Sequence, residues 1–279
     1  MTSRADFLAF CRKCVEQNGR QGRDYLDHHA LRFWSTYRVC ERLIGPGSAL
    51  LSVGAGSAYV EHALVRFRGV AVTVVDFPSA IAAHAAEYRK SHFNTIAHDL
   101  TKPLELEERF TLALSAEIIE HIPQEPQKHI AQLAQLLAAG ARPGHLVVTT
   151  PNLANLRNLM RLVCMQPIMP PAHKFFGDVC YENEDVHRRE YVPSEIRAAF
   201  LACGLTHRGT HYTENALVSG TKKRLFASAA KLAPRFAQTM ILVGRRDAPP
   251  LTEAAQHWPT SRFTVARGWT PRPPTASNS

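Results

Sequence analysis

The chain has 279 residues, 45% of them hydrophobic, so it can bury one large core but is short for two full-sized domains. No stretch approaches the roughly 20 consecutive apolar residues that a membrane span needs, and the N-terminal residues lack the apolar segment of a secretory signal. The six cysteines are scattered and form no disulfide framework. We therefore expect a cytoplasmic protein with reduced thiols and no membrane span.

The formal net charge is +9, and nearly all of it belongs to residues 1–246. A positive field of this size favours an anionic partner, either a small-molecule or nucleotide-linked substrate or a nucleic acid. A solvated basic surface without any such partner is an equally good interpretation.

Residues 1–44 predict a helical cover, because apolar residues recur near helical spacing up to the break at Gly45-Pro46-Gly47. Strand and helix patterns then alternate, which is typical of an α/β fold with a doubly wound, mostly parallel sheet and helices on both faces. The predicted strands are 50–54, 71–76, 94–98, 111–116 and 145–150, and the predicted helices are 58–67, 79–90 and 124–139.

Residues 151–192 interrupt the alternation with a helix at 153–164, a proline-rich break and a polar loop. An insertion after a strand end lies over the ligand site of such a sheet, so we assign it to substrate recognition. After it the sequence predicts a helix at 194–203, a strand at 205–213, a basic helix at 221–233 and a strand at 239–243. Residues 45–246 form one predicted domain, and the proline-rich residues 247–279 a disordered tail.

Two glycines, Gly54 and Gly56, follow the first predicted strand, and a helical pattern begins directly after them. Glycine lets a ligand lie against the backbone, and the free N–H groups of a helix start favour a polar group there. Asp76 ends the next strand twenty residues after Gly56, where an acid can hold the hydroxyls of a ribose. Because Tyr59 stands where a dinucleotide fingerprint has its third glycine, we expect a nucleoside ligand without a pyrophosphate.

Further motifs follow the later strands, and the set is far more specific than the glycine pattern alone. In chain order the segments are SVGAGSA (52–58), VVD (74–76), HDL (98–100), SAEIIEHIP (115–123), VTTPN (148–152) and HRREY (187–191). Over roughly residues 45–245 this set resembles the class I S-adenosylmethionine-dependent methyltransferases, in the branch related to the ubiquinone-biosynthesis enzymes. The resemblance implies a Rossmann-like, seven-stranded sheet with an antiparallel edge and S-adenosylmethionine as the cofactor.

Two positions depart from the pattern of that family. Ser52 replaces the acid that usually precedes the first glycine and helps to fix the methionine end of the cofactor. Ala58 replaces the usual third glycine, and alanine still permits close packing. The departures keep open a non-catalytic binding protein built on a methyltransferase fold.

The resemblance also implies a role for particular residues in holding the cofactor. Glycine-loop residues are expected beneath the methionine portion, one acid at the ribose, a second acid at the adenine amino group, and apolar side chains beside the adenine. The loop is Gly54, Ala55 and Gly56, the ribose acid is Asp76, the adenine contacts are Phe77, Asp99 and Leu100, and Ala116 and Glu117 close the methionine side.

Two histidines are candidates for a catalytic base, because imidazole titrates near neutral pH. His121 follows the fourth strand, and His187 belongs to the predicted insertion and can converge on the same point. Either one can equally be an orienting or structural histidine.

The same region contains a possible divalent-metal site. Two carboxylates and two imidazoles, from Glu117, Glu120, His121 and His187, suit a divalent cation. This E-x-x-E-H pattern is similar to metal-dependent methyltransferases that modify the terminal 2′-hydroxyl of small RNAs, but it also recurs in members of the broader family that use no metal.

Three functions therefore remain open from the sequence. The favoured one is O-methylation of a small-molecule or glycan-type substrate with S-adenosylmethionine and without a metal. The others are metal-dependent RNA 2′-O-methylation and the non-catalytic binding protein.

Overall fold

The computed structural model describes residues 2–15, 19–122, 126–169, 187–215 and 233–247. Its strands are β1 (Ala49–Val53), β2 (Ala71–Asp76), β3 (Asn94–Ala97), β4 (Leu112–Ala116), β5 (His145–Pro151), β6 (Leu205–Thr213) and β7 (Thr239–Arg246). Its helices are α1 (Arg4–Val15), α2 (Gly19–Leu43), α3 (Tyr59–Arg68), α4 (Pro78–Ala83), α5 (Ala85–Lys90), α6 (Pro126–Leu136), α7 (Leu156–Val163) and α8 (Pro193–Ala202). Pro234–Phe236 form a short 3-10 turn.

The seven strands form one sheet in the order β3-β2-β1-β4-β5-β7-β6. The neighbouring pairs from β3 to β5 are parallel, and β7 is antiparallel to both β5 and β6. The predicted α/β fold with an antiparallel edge is therefore confirmed. The direction of strand addition reverses between β1 and β4, and in doubly wound sheets ligands bind at this reversal, beyond the carboxyl ends of the strands.

The central strand β1 is buried on both faces, and its side chains alternate between two hydrophobic clusters. Leu50 packs into a cluster with α1, α2 and α3, whereas its neighbour Leu51 packs into a second cluster with α6 and α8. This alternation follows from the period of two in a strand. Because β1 is held on both sides, the loop that follows it has a fixed starting point.

One predicted helix is divided in the structure, the predicted helices 124–139 and 153–164 are observed as Pro126–Leu136 and Leu156–Val163, and other predicted elements lie outside the described residues. The predicted helix 79–90 is two short helices, α4 and α5, because the backbone at His84 leaves the helical region with φ −110 and ψ 11. The predicted helix 221–233, much of the predicted loop before His187 and the predicted tail after residue 247 lie outside the described residues.

Among the helices that the structure describes, none combines the length and apolar character needed to cross a bilayer. The division into cover, domain, insertion and tail stays a prediction.

His129 on α6 gives the fold a measurable pH dependence. It is buried, its Nε2 lies 2.9 Å from Ser115 Oγ, and burial lowers its pKa from 6.5 to about 4. The unfolded chain binds a proton near pH 6.5 while the folded one does not, so this stability is present above pH 6.5 and is lost as the pH falls towards 4. The wild-type unfolding free energy therefore falls at low pH, and His129 accounts for about 3 kcal/mol of that fall. We expect the fall to be smaller by this amount in His129→Gln.

Urea denaturation of both proteins between pH 4 and pH 7.5 measures this effect. His92→Asn is the matched control, because His92 is exposed and holds a positive φ of 56 that asparagine tolerates. An acid-side slope that is the same in His129→Gln and in the wild type contradicts the assignment.

Candidate active site

A cleft of 1390 Å³ opens at the carboxyl edge of the sheet, at the reversal between β1 and β4. Its floor is the loop after β1 and the ends of β4 and β5, and its walls come from α2 and α7. The cleft is large enough for a nucleoside cofactor together with a second small molecule.

The glycine loop has the backbone shape that the sequence predicts. Gly54 has a φ of +64, and its N–H donates a hydrogen bond to Val75 O at 2.9 Å. A Cβ atom at Gly54 would lie 2.0 Å from Ile118 Cδ1, so the residue leaves room for the neighbouring β4 loop. Ala58 also adopts a left-handed conformation, with a φ of 48, which costs an alanine roughly 1–2 kcal/mol. The third glycine position therefore needs positive φ here in addition to close packing.

Asp76 joins the tip of β2 to this loop. Its carboxylate is buried and accepts hydrogen bonds from the N–H of Gly56 at 3.2 Å and from the N–H of Phe77 at 2.8 Å. Burial raises the pKa of Asp76. Tyr88 also stabilises the glycine loop, because its hydroxyl donates a hydrogen bond to Gly56 O at 2.5 Å. The contact of Asp76 with a ribose stays a prediction.

The predicted cofactor residues divide into two groups. Gly54, Ala55, Gly56, Ala116 and Glu117 line the cleft, whereas Asp76, Phe77, Asp99 and Leu100 are not among its lining residues. Asp99 accepts hydrogen bonds from the N–H and the hydroxyl of Thr101, at 2.9 and 2.7 Å, and its Oδ2 lies 3.5 Å from Lys102 Nζ. These bonds make Asp99 part of a local turn, and the adenine contacts stay a prediction.

Glu117 is held by two partners. Thr149 Oγ1 donates to its Oε1 at 2.8 Å, and the guanidinium of Arg32 donates to its Oε2 at 2.8 Å. Arg32 comes from α2, is 7% exposed, and also donates to the hydroxyl of Tyr25 at 3.2 Å. The ion pair fixes α2 to the end of β4. Arg32 is not predicted as a site residue from the sequence, because nothing in its local pattern separates it from the other basic residues of α2.

His121 and His187 lie next to each other in the structure, and their catalytic role stays a prediction. Both line the cleft, and their ring centroids are 4.9 Å apart with the planes at 82°. His187 Nδ1 lies 3.6 Å from Glu190 Oε1, and Glu190 Oε2 accepts a hydrogen bond from Asn158 Nδ2 at 2.8 Å. The carboxylate of Glu190, the imidazole of His187 and the imidazole of His121 therefore lie in a row at the cleft wall.

Three of the four candidate metal ligands lie together. The ligand atoms of Glu120, His121 and His187 are all within 4.8 Å of one another. Glu120 is fully buried, its Oε2 accepts a hydrogen bond from Thr150 at 3.0 Å, and its Oε1 has no hydrogen-bond partner among the residues that the structure describes. Burial and the neighbouring Glu117 raise the pKa of Glu120. A buried oxygen without a partner fits a cation, whereas Glu117 is already held by Arg32 and Thr149.

The strand order and the glycine loop define a Rossmann-like α/β protein with its ligand cleft at the strand reversal. Residues 25–208 match the family model described as a methyltransferase domain. The chain therefore belongs to this methyltransferase domain family, and it is a class I S-adenosylmethionine-dependent methyltransferase whose cofactor is S-adenosylmethionine. No curated protein matches the chain in sequence.

Solved structures support the same fold at low sequence identity. A putative methyltransferase in complex with the Haloferax volcanii activator Trm112 is 14% identical, with a TM-score of 0.58 over 87% of this chain and 98% of that one. The Burkholderia thailandensis 1,6-didemethyltoxoflavin N1-methyltransferase, with bound S-adenosylhomocysteine, is 16% identical, with a TM-score of 0.52 over 89% and 92%. The [4+2]-cyclase SpnF is 16% identical, with a TM-score of 0.53 over 77% and 82%. These likenesses establish the fold and leave the reaction to the residues of the site.

The Arg32–Glu117 pair is the most direct target for a stability measurement. Removing Arg32 leaves a carboxylate without its counter-charge in a buried place, which costs about 3 kcal/mol or more. We therefore expect Arg32→Met to lower the unfolding free energy by that amount in urea denaturation, and we expect the double variant Arg32→Met/Glu117→Gln to recover part of the loss.

Arg12→Met is the control, because the Arg12–Asp27 pair at 3.7 Å is exposed, and such pairs contribute about 1 kcal/mol or less. Equal losses in Arg32→Met and Arg12→Met contradict a structural role for the buried pair.

Proposed function

We propose that the protein O-methylates an anionic small molecule or glycan-type acceptor, including nucleotide-linked ones, and that His121 removes the proton from the acceptor hydroxyl. Bound S-adenosylmethionine supplies an electrophilic methyl group for an in-line displacement. The chain's own task is to align the acceptor, exclude water and take up the proton. The single observation that carries this proposal is the convergence of His121 and His187 in the cleft beside the glycine loop.

The line of side chains behind His121 supports a base. Glu190 is held by Asn158 and faces His187, which lies against His121. A carboxylate near one imidazole stabilises the positive charge that appears when the pair takes up a proton. Proton removal is needed for a hydroxyl acceptor and much less for a neutral amine, so this arrangement favours O-methylation.

Two arginines support an anionic acceptor. Arg157 and Arg161 lie four residues apart on α7 and line the cleft, and neither forms an ion pair with a described residue. Residues at this spacing share one face of a helix, and guanidinium groups bind phosphate and carboxylate in a forked geometry. The amides of Asn215 and Gln238 line the same cleft and offer hydrogen-bond partners for sugar hydroxyls.

The acceptor class is tested by measuring S-adenosylhomocysteine release with sugar phosphates, nucleotide sugars, their neutral parent sugars and a short RNA with a free 2′-hydroxyl. We expect turnover with phosphorylated sugars or nucleotide sugars. We expect Arg157→Ala and Arg161→Ala each to raise KM for that acceptor roughly tenfold with little change in kcat, because the arginines bind ground state and transition state alike. Arg197→Ala, an exposed change on α8, is the control. Turnover only with neutral acceptors or amines contradicts the proposal.

Metal-assisted methyl transfer to an RNA 2′-hydroxyl is the second candidate, and the buried Glu120 oxygen without a partner favours it. In that case Glu120, His121 and His187 would hold the cation, which would supply Lewis-acid activation of the acceptor hydroxyl. Family membership favours either enzyme over the non-catalytic alternative.

One comparison separates the two roles of His121. If His121 is the base, His121→Ala lowers kcat roughly 100-fold or more and leaves the affinity for S-adenosylhomocysteine nearly unchanged. EDTA then has no effect on the activity of the wild type. We expect Asp76→Ala to do the reverse, with the main loss in cofactor affinity. Activity that disappears with EDTA and returns with Mn²⁺ or Mg²⁺ assigns His121 to the metal and contradicts the base. Comparable losses of cofactor affinity in His121→Ala and Asp76→Ala contradict both roles.

We also propose a cytoplasmic location. The five cysteines among the described residues are free thiols, as expected for a reducing compartment.

A further inference from the structure

A carboxyl group lies beside Ser52 although β1 itself carries none there. Ser52 is 1% exposed, and its hydroxyl donates a hydrogen bond of 2.5 Å to Glu61 Oε1. Glu61 belongs to the first turn of α3 and is 4% exposed. The acid therefore reaches the end of β1 from the following helix.

Glu61 is also part of the cleft. It is one of the residues that line the cavity, together with the loop residues Gly54 to Ser57, and its Oε1 accepts the hydrogen bond from Ser52. A charged carboxylate so deeply buried is costly unless a cation compensates it.

The protein itself supplies no such cation in the part of the chain that the structure describes. The titratable groups that interact electrostatically with Glu61 are Asp76, Tyr88, Cys11 and Cys40, and none of them carries a positive charge. Asp76 has backbone N–H partners and Glu117 has Arg32. Glu61 also lies next to the glycine loop, but its negative charge has no cationic partner among the described residues. In agreement with this, burial raises the pKa of Glu61.

We propose that Glu61 binds the α-ammonium group of the methionine portion of S-adenosylmethionine, with Ser52 orienting the carboxylate. The ligand supplies the positive charge that the site lacks, and the resulting charge-assisted hydrogen bond forms where water is largely excluded. Ser52 and Glu61 together thus do the work of an acid on β1. This inference concerns the cofactor and is independent of the acceptor.

Isothermal titration calorimetry with two ligands tests the inference on the whole 279-residue chain. S-adenosylhomocysteine carries the amino-acid portion, whereas 5′-deoxy-5′-methylthioadenosine keeps the nucleoside and the sulfur but lacks the ammonium group. We expect Glu61→Gln to weaken S-adenosylhomocysteine binding about 10- to 100-fold and to leave methylthioadenosine binding unchanged. Glutamine keeps the shape of the side chain and can still accept the hydrogen bond from Ser52.

Two further variants control for indirect effects. Glu214→Gln makes the same change of charge elsewhere in the cleft and is expected to leave the ratio of the two affinities unchanged. Ser52→Asp/Glu61→Ser places the carboxyl on β1 and the hydroxyl on α3, and it is expected to recover most of the lost S-adenosylhomocysteine affinity. A Glu61→Gln protein that loses both ligands equally, or neither, overturns the proposal, and so does a wild-type protein that binds neither ligand.

Discussion

The buried ion pair between Arg32 and Glu117 fixes the N-terminal helix α2 to the ligand edge of the sheet. It joins α2 to the end of β4 across 85 residues of sequence, and it lies on the wall of the cleft. Without it, Glu117 would lie unpaired near the buried Glu120, and two like charges in a low-dielectric place repel strongly. Helix α2 and the carboxyl edge of the sheet are therefore held together by the same two charges that line the ligand cleft.

Each acidic side chain around the glycine loop is stabilised in a different way. Backbone N–H groups hold Asp76, an arginine holds Glu117, and a serine hydroxyl holds Glu61. Glu120 keeps one buried oxygen that has no hydrogen-bond partner in the described part of the chain. The two acids with incomplete compensation face the places where we propose that positive charge arrives, from the cofactor's ammonium group at Glu61 and, under the second candidate function, from a cation at Glu120. An incompletely compensated buried acid is costly to the fold, and ligand binding can offset that cost.

The sheet and much of the site could be predicted from the sequence, because both follow from short-range patterns. Parallel strands bring their carboxyl ends to one edge, so motifs after β1, β4 and β5 had to meet there, and His121 and His187 do so. The Ser52–Glu61 bond could also have been found, since Glu61 is an acid among the mostly apolar residues that begin α3. The Arg32–Glu117 pair could not, because it depends on how a distant helix packs. The break at His84 was missed because helical spacing does not record a single non-helical residue.

The central claim is that the loop after β1, Glu61 and His121 surround one cofactor in one cleft. A crystal structure with S-adenosylhomocysteine tests it most directly. The account predicts the amino group at Glu61, the homocysteine chain over Gly54 and Gly56, and the sulfur directed towards His121. A ligand bound elsewhere, or one with its amino group turned away from Glu61 and its sulfur away from His121, contradicts the account.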